Sequence, residues 1–239
     1  MSGPRTAMVL AAGLGTRMRP LTDSMPKALV TVAGRTMIDH TLDRLGEAGV
    51  ERAVVNVHAF ADQMEAHLAG RTHPRVLISD ERSGLLDSGG GIAKAIPMLG
   101  QAPIFVANID NIWIEGATSA LGALVAAWDA DRMDICILLA PRDRTTGFER
   151  PEGFLRDPAG RLTHSNSSNP PPPFNNLGVQ ILKPQILHGQ PAGPFSIVPI
   201  WKQLSAEGRL FGAVMDGDAM HVTDPAARQA VEARLLAEA

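Results

Sequence analysis

Apolar residues along the chain fall into runs of two alternating kinds. Residues 6–12 form a short run that is apolar throughout and ends at Gly13. Without polar alternation, such a run reads as a strand buried on both faces. From Thr36 to Leu45 the apolar positions Met37, Ile38, Leu42 and Leu45 recur at helical spacing, and Gly49 closes that helix. The alternation then repeats. Strands are predicted over 53–57, 76–78, 104–108 and 133–140, and helices over 61–68, 89–99 and 117–130. A short extended piece over 29–32 stops at Gly34. Short strands alternating with longer helices signal an α/β fold with a mostly parallel central sheet flanked by helices.

The pattern weakens beyond residue 141. The polar stretch 142–161 holds short candidate strands around 153–155 and 161–163. Residues 166–173 end in four prolines and must be loop or polyproline extension, either a surface connector or an edge of a pocket. A strand over 177–182 and helices over 199–206 and 226–237 complete the reading. No internal repeat or long flexible linker divides the chain, so a single domain over 1–239 is expected.

Composition narrows the function classes. Tyr is absent and aromatics are only 4%, so Leu, Val, Ile, Ala and Met must build the core. The net charge of −3 supplies no basic field for a nucleic-acid backbone and no membrane-surface patch. No segment approaches the roughly 20 apolar residues of a membrane span, and the opening residues lack a signal-peptide core. Cytoplasm is the default expectation. The single Cys136 lies in an apolar run and reads as a buried, inert thiol.

Four places carry candidate chemistry. The first strand runs into Ala11-Ala12-Gly13-Leu14-Gly15-Thr16-Arg17, where glycines expose successive backbone N–H groups that can hold phosphate oxygens. The spacing is not a dinucleotide fingerprint, because Met18 stands at the last glycine position. Behind the loop come Arg19 and the pair Pro26-Lys27; Arg17 offers a planar fork for phosphate and Lys27 a compact charge. Three glycines, Gly89 to Gly91, open a helical pattern at a cost in propensity that a flat ligand would explain. Asp110 follows the strand over 104–108, where open sheets bind ligands, and is placed to hold Mg²⁺.

LAAGLGTRMRPLTDSMPKAL at 10–29 resembles the signature of the sugar-phosphate nucleotidyltransferases, and the similarity continues through LDSGGGIAKA at 86–95 and NIDNIW at 108–113. The resemblance implies a three-layer, Rossmann-like nucleotidyltransferase fold with a small β-rich sugar-binding portion. The nucleotide-binding part would span about 1–115 and the sugar-phosphate part about 116–239. It implies a nucleoside triphosphate and a sugar 1-phosphate as substrates, with Mg²⁺ as cofactor and Mn²⁺ as a substitute. The short length and triple glycine bring the chain nearest to members that join UTP to N-acetyl-α-muramate 1-phosphate in cell-wall recycling. GTP with mannose 1-phosphate, or UTP or dTTP with glucose 1-phosphate, is the same chemistry with other partners. A monomer or small homo-oligomer is expected.

By resemblance, Gly13 to Thr16, with Ala11 and Ala12, would hold the nucleotide, and Gly89 and Gly90 would lie against base and ribose. Arg17 would stabilise pyrophosphate, Lys27 would bridge phosphates, and Asp110 would hold the metal. The sequence departs from the family pattern at three points. Ala28 stands for a proline and Ile109 for a glycine. His221 stands where the family has a second metal-binding aspartate. His221 then contacts phosphate or a metal-bound water, or ligates a softer ion such as Mn²⁺ or Co²⁺, or packs locally while Asp216, Asp218 or Asp224 takes over. These features also leave open a catalytically weak, ligand-sensing relative. On the sugar side Asn169, Asn175 and Asn176 are the candidate contacts, with Arg142, Arg144, Arg150 and Arg156 as candidate partners for an acidic sugar substituent.

Overall fold

The apolar runs become a wound sheet in the computed structural model, which describes residues 3–149 and 151–238. The first half contains β1 (Thr6–Leu10), β2 (Thr31–Val32), β3 (Arg35–Thr36), α1 (Met37–Glu47), β4 (Arg52–Val57), α2 (Ala61–Leu68) and β5 (Arg75–Asp80). Then follow α3 (Asp87–Leu99), β6 (Ile104–Asn108), β7 (Asn111–Glu115), α4 (Ala120–Ala127) and β8 (Ile135–Pro141). The remainder holds β9 (Thr145–Thr146), β10 (Gly153–Arg156), β11 (Leu162–Ser165), β12 (Phe174–Leu182), α5 (Val198–Ala206), β13 (Leu210–Val214), β14 (Gly217–His221) and α6 (Pro225–Ala237).

The central path runs β13–β8–β12–β6–β1–β4–β5. β1 pairs parallel with both β4 and β6, β4 with β5, and β8 with β13. On this path β12 alone reverses, antiparallel to β6 and β8, and β10 and β11 extend the sheet as an antiparallel pair beside β12. The sheet is therefore mostly parallel, as the unalternating runs predict. Side chains still alternate between its faces. Val9, Val55 and Ala107 face a cluster with Met37, Leu42 and Met64 from α1 and α2 and Leu121 from α4. Met8, Val54 and Val106 face another with Ile92, Ala95 and Leu99 from α3 and Ile200 and Leu204 from α5. Those are the three layers.

The strand order places the site. From β1 the chain winds outward through β4 and β5, then returns to β1's other side as β6. Ligands of open α/β sheets bind beyond the strand C-termini at such a reversal. The glycine loop leaves the end of β1 there, and Asp110 follows the end of β6.

Several elements differ from the pattern reading, among them β13, an apolar strand not predicted that pairs parallel with β8. α4 is shorter than 117–130, because Ser119 caps it and the amides of Gly116 and Ala117 are taken by Asp216. β7, β9 and β14 form a separate three-stranded sheet. β14 reads Gly-Asp-Ala-Met-His and carries no apolar alternation that marks a strand, but its register on β7 brings His221 opposite Asn111. The 166–173 segment is a surface connector whose residues line neither principal cavity.

Candidate functional site

A cavity of about 510 Å³ opens beyond β1 and β6, lined by Ala11, Ala12, Gly13, Lys27, Asn108 and Asp110 among others. The loop's shape is imposed from the neighbouring strands. Asn56, near the end of β4, accepts from the amides of Ala11 (2.7 Å) and Ala12 (3.2 Å) through Oδ1. Its Nδ2 donates to Glu81 Oε1 at 2.8 Å, and Glu81 Oε2 accepts from the Leu86 amide. Asn56 and Glu81 are both buried, so satisfied hydrogen bonds are what makes their presence tolerable. Gly91 lets α3 approach this pair, since a Cβ there would sit 3.0 Å from both. The sequence signal for Asn56 is a polar residue inside an otherwise apolar strand; Glu81 had none.

Gly15 adopts φ +62, and a Cβ on it would fall 2.8 Å from Lys27 Cβ. Thr22 Oγ1 donates to the Gly15 carbonyl at 2.9 Å, pinning the turn. Lys27 is thereby delivered, largely buried, to Asp110: its Nζ lies 2.8 Å from Oδ2. His221 Nε2 lies 3.3 Å from the same oxygen. Burial pushes the Asp110 carboxyl up, but the His221 hydrogen bond and the Lys27 charge outweigh it and hold the group well below the usual carboxylate range. Asp110 is thus a fixed anion. Its Oδ1 has only a 3.5 Å contact with Asn111 Nδ2.

A second cavity, about 450 Å³, lies beyond Asp110 and is lined by Arg17, Asn175, Asn176, His221, Phe148 and Trp201 among others. Asn108 and Asp110 line both cavities. Asn175 Nδ2 donates to Thr145 Oγ1, and Asn176 Oδ1 accepts from the Gly178 amide. Gly178 sits at the irregularity in β12 with φ +73. A Cβ there would fall 2.5 Å from Asn111 Nδ2, so glycine is what lets β12 close on the Asp110 turn. Arg17 is exposed and makes no hydrogen bond or ion pair among the described residues.

Several expected residues sit elsewhere. Gly89 and Gly90 line neither principal cavity. Their amides donate to the Phe195 carbonyl, and added Cβ atoms would strike Phe195 and the Gly193 carbonyl. The glycines therefore admit the 193–195 segment, and Asp87 and Ser88 face the nucleotide-side cavity instead. Leu14 and Thr16 are exposed on the loop outside both cavity linings, as is Asn169 on its connector. Arg144 is engaged by Asp216 and Asp218, Arg156 donates to the Gly212 carbonyl, and Arg142 holds the Pro172 and Glu152 carbonyls. Arg150 lies outside the described residues. The three carboxylates offered as substitutes for His221 are also occupied: Asp224 caps α6, while Asp218 binds Arg234 as well as Arg144.

The donor set suits a hard cation held jointly with a ligand. Asp110 Oδ1 is nearly free, and the adjacent Asn111 Oδ1 is buried without a partner. Mg²⁺ is held in this manner by one or two carboxylates plus substrate phosphates. No group of three or more His, Cys, Asp or Glu side chains is placed to hold a metal ion among the described residues, so no all-protein cage is offered. No helix there is long and apolar enough to cross a membrane.

Comparison with known proteins agrees with this geometry. Residues 7–229 match the model of the MobA-like NTP transferase domain. The chain is 54% identical over 237 residues to the N-acetylmuramate alpha-1-phosphate uridylyltransferase of Caulobacter vibrioides, covering 97% of each chain. It is 46% identical over 106 residues to the enzyme of that description from Neisseria meningitidis, covering 44% of this chain and 46% of that one. In fold it resembles the inositol-1-phosphate CTP transferase of T. maritima (TM-score 0.78, 17% identity) and an apo-UDP-glucose pyrophosphorylase (TM-score 0.79, 14% identity), each covering 98% of both chains. The chain belongs to the MobA-like NTP transferase family, as a sugar-phosphate nucleotidyltransferase.

Proposed function

We propose that the enzyme transfers a uridylyl group from UTP to N-acetyl-α-muramate 1-phosphate, giving UDP-N-acetylmuramate and pyrophosphate. The observation that carries this reading is the pair of cavities meeting at Asn108 and Asp110, with Lys27 on one side and Arg17 on the other. The 54% identity to the Caulobacter enzyme supports the choice of UTP and an N-acetylmuramate phosphate.

The reaction needs two anions brought together and held in line. UTP occupies the cavity beneath the glycine loop, its phosphates toward Gly13 and Lys27. The sugar phosphate enters from the other cavity. Its oxygen forms a new bond to the α-phosphorus while the bond to the pyrophosphate oxygen breaks, and no covalent enzyme intermediate forms. The protein contributes positioning and charge neutralisation. Lys27 offsets charge beside the reacting phosphorus, and Arg17 binds phosphate oxygens at the junction through its free fork. Asp110 and the Asn111 carbonyl oxygen would hold Mg²⁺, which supplies further neutralisation of the phosphate oxygens. His221 keeps the Asp110 carboxylate oriented. The cytoplasm, where cell-wall amino sugars are reused, is the setting proposed for this reaction.

The test is pyrophosphate release with Mg²⁺ from UTP, GTP, dTTP, CTP and ATP, each paired with N-acetylmuramate, N-acetylglucosamine, glucose and mannose 1-phosphates. The expected result is one dominant pair, UTP with N-acetylmuramate 1-phosphate. Dominance of another pair would refute the substrate assignment while leaving the chemistry intact.

A further inference from the structure

Lys27, the cation that meets Asp110, sits on a short segment that leads straight into a hairpin. It opens a single 3-10 turn, Lys27–Leu29, and the Val30 amide donates to the Lys27 carbonyl at 3.0 Å. The chain then enters β2 and β3, which are two residues each and pair antiparallel. They reverse through Ala33 and Gly34, both at positive φ (50 and 78). A two-residue hairpin turn of that kind favours Asn or Asp followed by Gly. Ala33 carries a Cβ and has no side-chain acceptor, so its left-handed backbone is unfavourable without outside support.

That support comes from α6. Arg228 and Glu232 stand one helical turn apart and are half-buried, while Gln229, Ala230 and Ala233 are exposed. Glu232 Oε1 accepts from the Ala33 amide at 2.9 Å, and Arg228 Nε donates to the Thr31 carbonyl at 2.6 Å. Arg228 also donates to Glu232 Oε1 at 3.2 Å, so each side chain fixes the other. The start of α6 is tied to the site. The helix follows His221 closely, and the Val222 amide donates to the Asp110 carbonyl at 2.8 Å. Asp224 caps the helix and interacts with Arg17 through charge. One helix therefore connects the strand carrying His221 to the hairpin that follows Lys27, and both side chains meet on Asp110 Oδ2.

We propose that Arg228 and Glu232 are positioning residues for the transfer reaction, clasping the backbone of 31–33 so that the Lys27 ammonium is held at the phosphate junction. The inference rests on the reading that Lys27 neutralises phosphate charge. Neither α6 residue lines either principal cavity, so both act through the hairpin backbone. A lysine ammonium rides on a flexible four-carbon stem. Its place beside a substrate therefore depends on where its backbone is anchored. The anchor is close: Arg228 grips the carbonyl of Thr31, next to the Val30 whose amide closes the Lys27 turn. A misplacement of about 1 Å from a remote change can slow a reaction by about 10²-fold.

The test is a mutant cycle assayed with UTP and N-acetylmuramate 1-phosphate, or with whichever pair the substrate matrix identifies. Glu232→Ala and Arg228→Ala should each lower kcat by roughly 10- to 100-fold, with the KM for sugar phosphate changed less than about threefold. Glu232→Gln keeps an acceptor for the Ala33 amide and should retain most of the rate. Hydrogen exchange should quicken over 28–33 in the alanine variants and stay unchanged in β1 and β4. On a Lys27→Ala background each alanine change should cost less than about twofold more, because the group it positions is gone. Unchanged turnover or unchanged exchange in the alanine variants, a Gln variant as slow as the Ala variant, or losses that multiply in full with Lys27→Ala would each overturn the clasp. Thermal melting identifies a variant that fails to fold, in which case the other alanine variant decides. If Lys27→Ala alone turns over like wild type, the phosphate role of Lys27 fails and the clasp falls with it. A slow Lys27→Ala with multiplying losses refutes the clasp alone.

Discussion

At the scale of single residues, the site rests on a few charges whose positions are set by neighbours. Lys27 reaches Asp110 because Gly15 leaves room beside its stem. Arg17 makes no hydrogen bond or salt bridge among the described residues, interacts with Asp224 only through charge, and lines the sugar-side cavity, where it is available to phosphate. Arg17→Ala should lower kcat by roughly 10²- to 10³-fold, the usual size for removing a charge-stabilising donor. Steady-state kinetics showing unchanged turnover would remove Arg17 from the chemistry. His221 shares Asp110 Oδ2 with Lys27. Because Mg²⁺ prefers carboxylate oxygen to imidazole, His221→Asp should preserve or raise Mg²⁺-supported activity and lower the Mg²⁺ concentration needed for half-maximal rate. A large loss in a folded variant would mean that the imidazole itself is required.

At the scale of elements, the device that shapes the site is a set of strand ends tied together. β4 contributes Asn56, which holds the glycine-loop amides, and the turn after β5 contributes Glu81, which holds Asn56. Asn56→Leu should cost about 1–3 kcal/mol in denaturant unfolding through the groups left unpaired and should weaken UTP binding measured calorimetrically. Gly178→Ala should cost a similar amount or more, since the left-handed backbone and the 2.5 Å approach to Asn111 both oppose a methyl group.

Such ties explain what the sequence could and could not reveal. Largely apolar runs mark β1, β4, β6 and β8; the glycine loop and Asp110 follow from their places at strand ends, and Lys27 from its grouping with Arg17 and Arg19 behind that loop. Gly89 and Gly90 are ambiguous in the sequence, because a helix that opens with glycines looks the same whether a ligand or the 193–195 segment packs on it. The β7–β14 pairing that brings His221 to Asp110 is invisible because Gly-Asp-Ala-Met-His carries no alternating pattern.

At the scale of the whole molecule, the nucleotide-side strands β1, β4 and β5 are joined to the later half through β6 and the reversed β12. Asp134 staples that later half, binding Arg209 and Lys183 ahead of β13 and after β12. The Arg209 hydrogen bonds, against some burial and with help from Lys183, hold its carboxyl down to about 2. The stabilisation is therefore complete above the unfolded-state value of about 4 and is lost as pH falls through the folded value. Discounted for solvent screening, Asp134→Asn should cost about 1–2 kcal/mol at neutral pH, with the gap to wild type closing between about pH 4 and 2. A gap that stays constant through that window in pH-dependent unfolding would show that the ion pairs carry none of it. Cys136 lies wholly inside β8, and burial pushes its thiol up to about 12. It should resist thiol reagents until the sheet unfolds.

Direct transfer at the junction of the two cavities is the central claim, and exchange of labelled pyrophosphate into UTP tests it most directly. With the sugar 1-phosphate present, exchange should proceed; with enzyme, Mg²⁺ and UTP alone, it should be absent, because no group on the protein accepts the uridylyl unit. Exchange at a comparable rate without sugar phosphate would demonstrate a covalent uridylyl-enzyme and contradict the account.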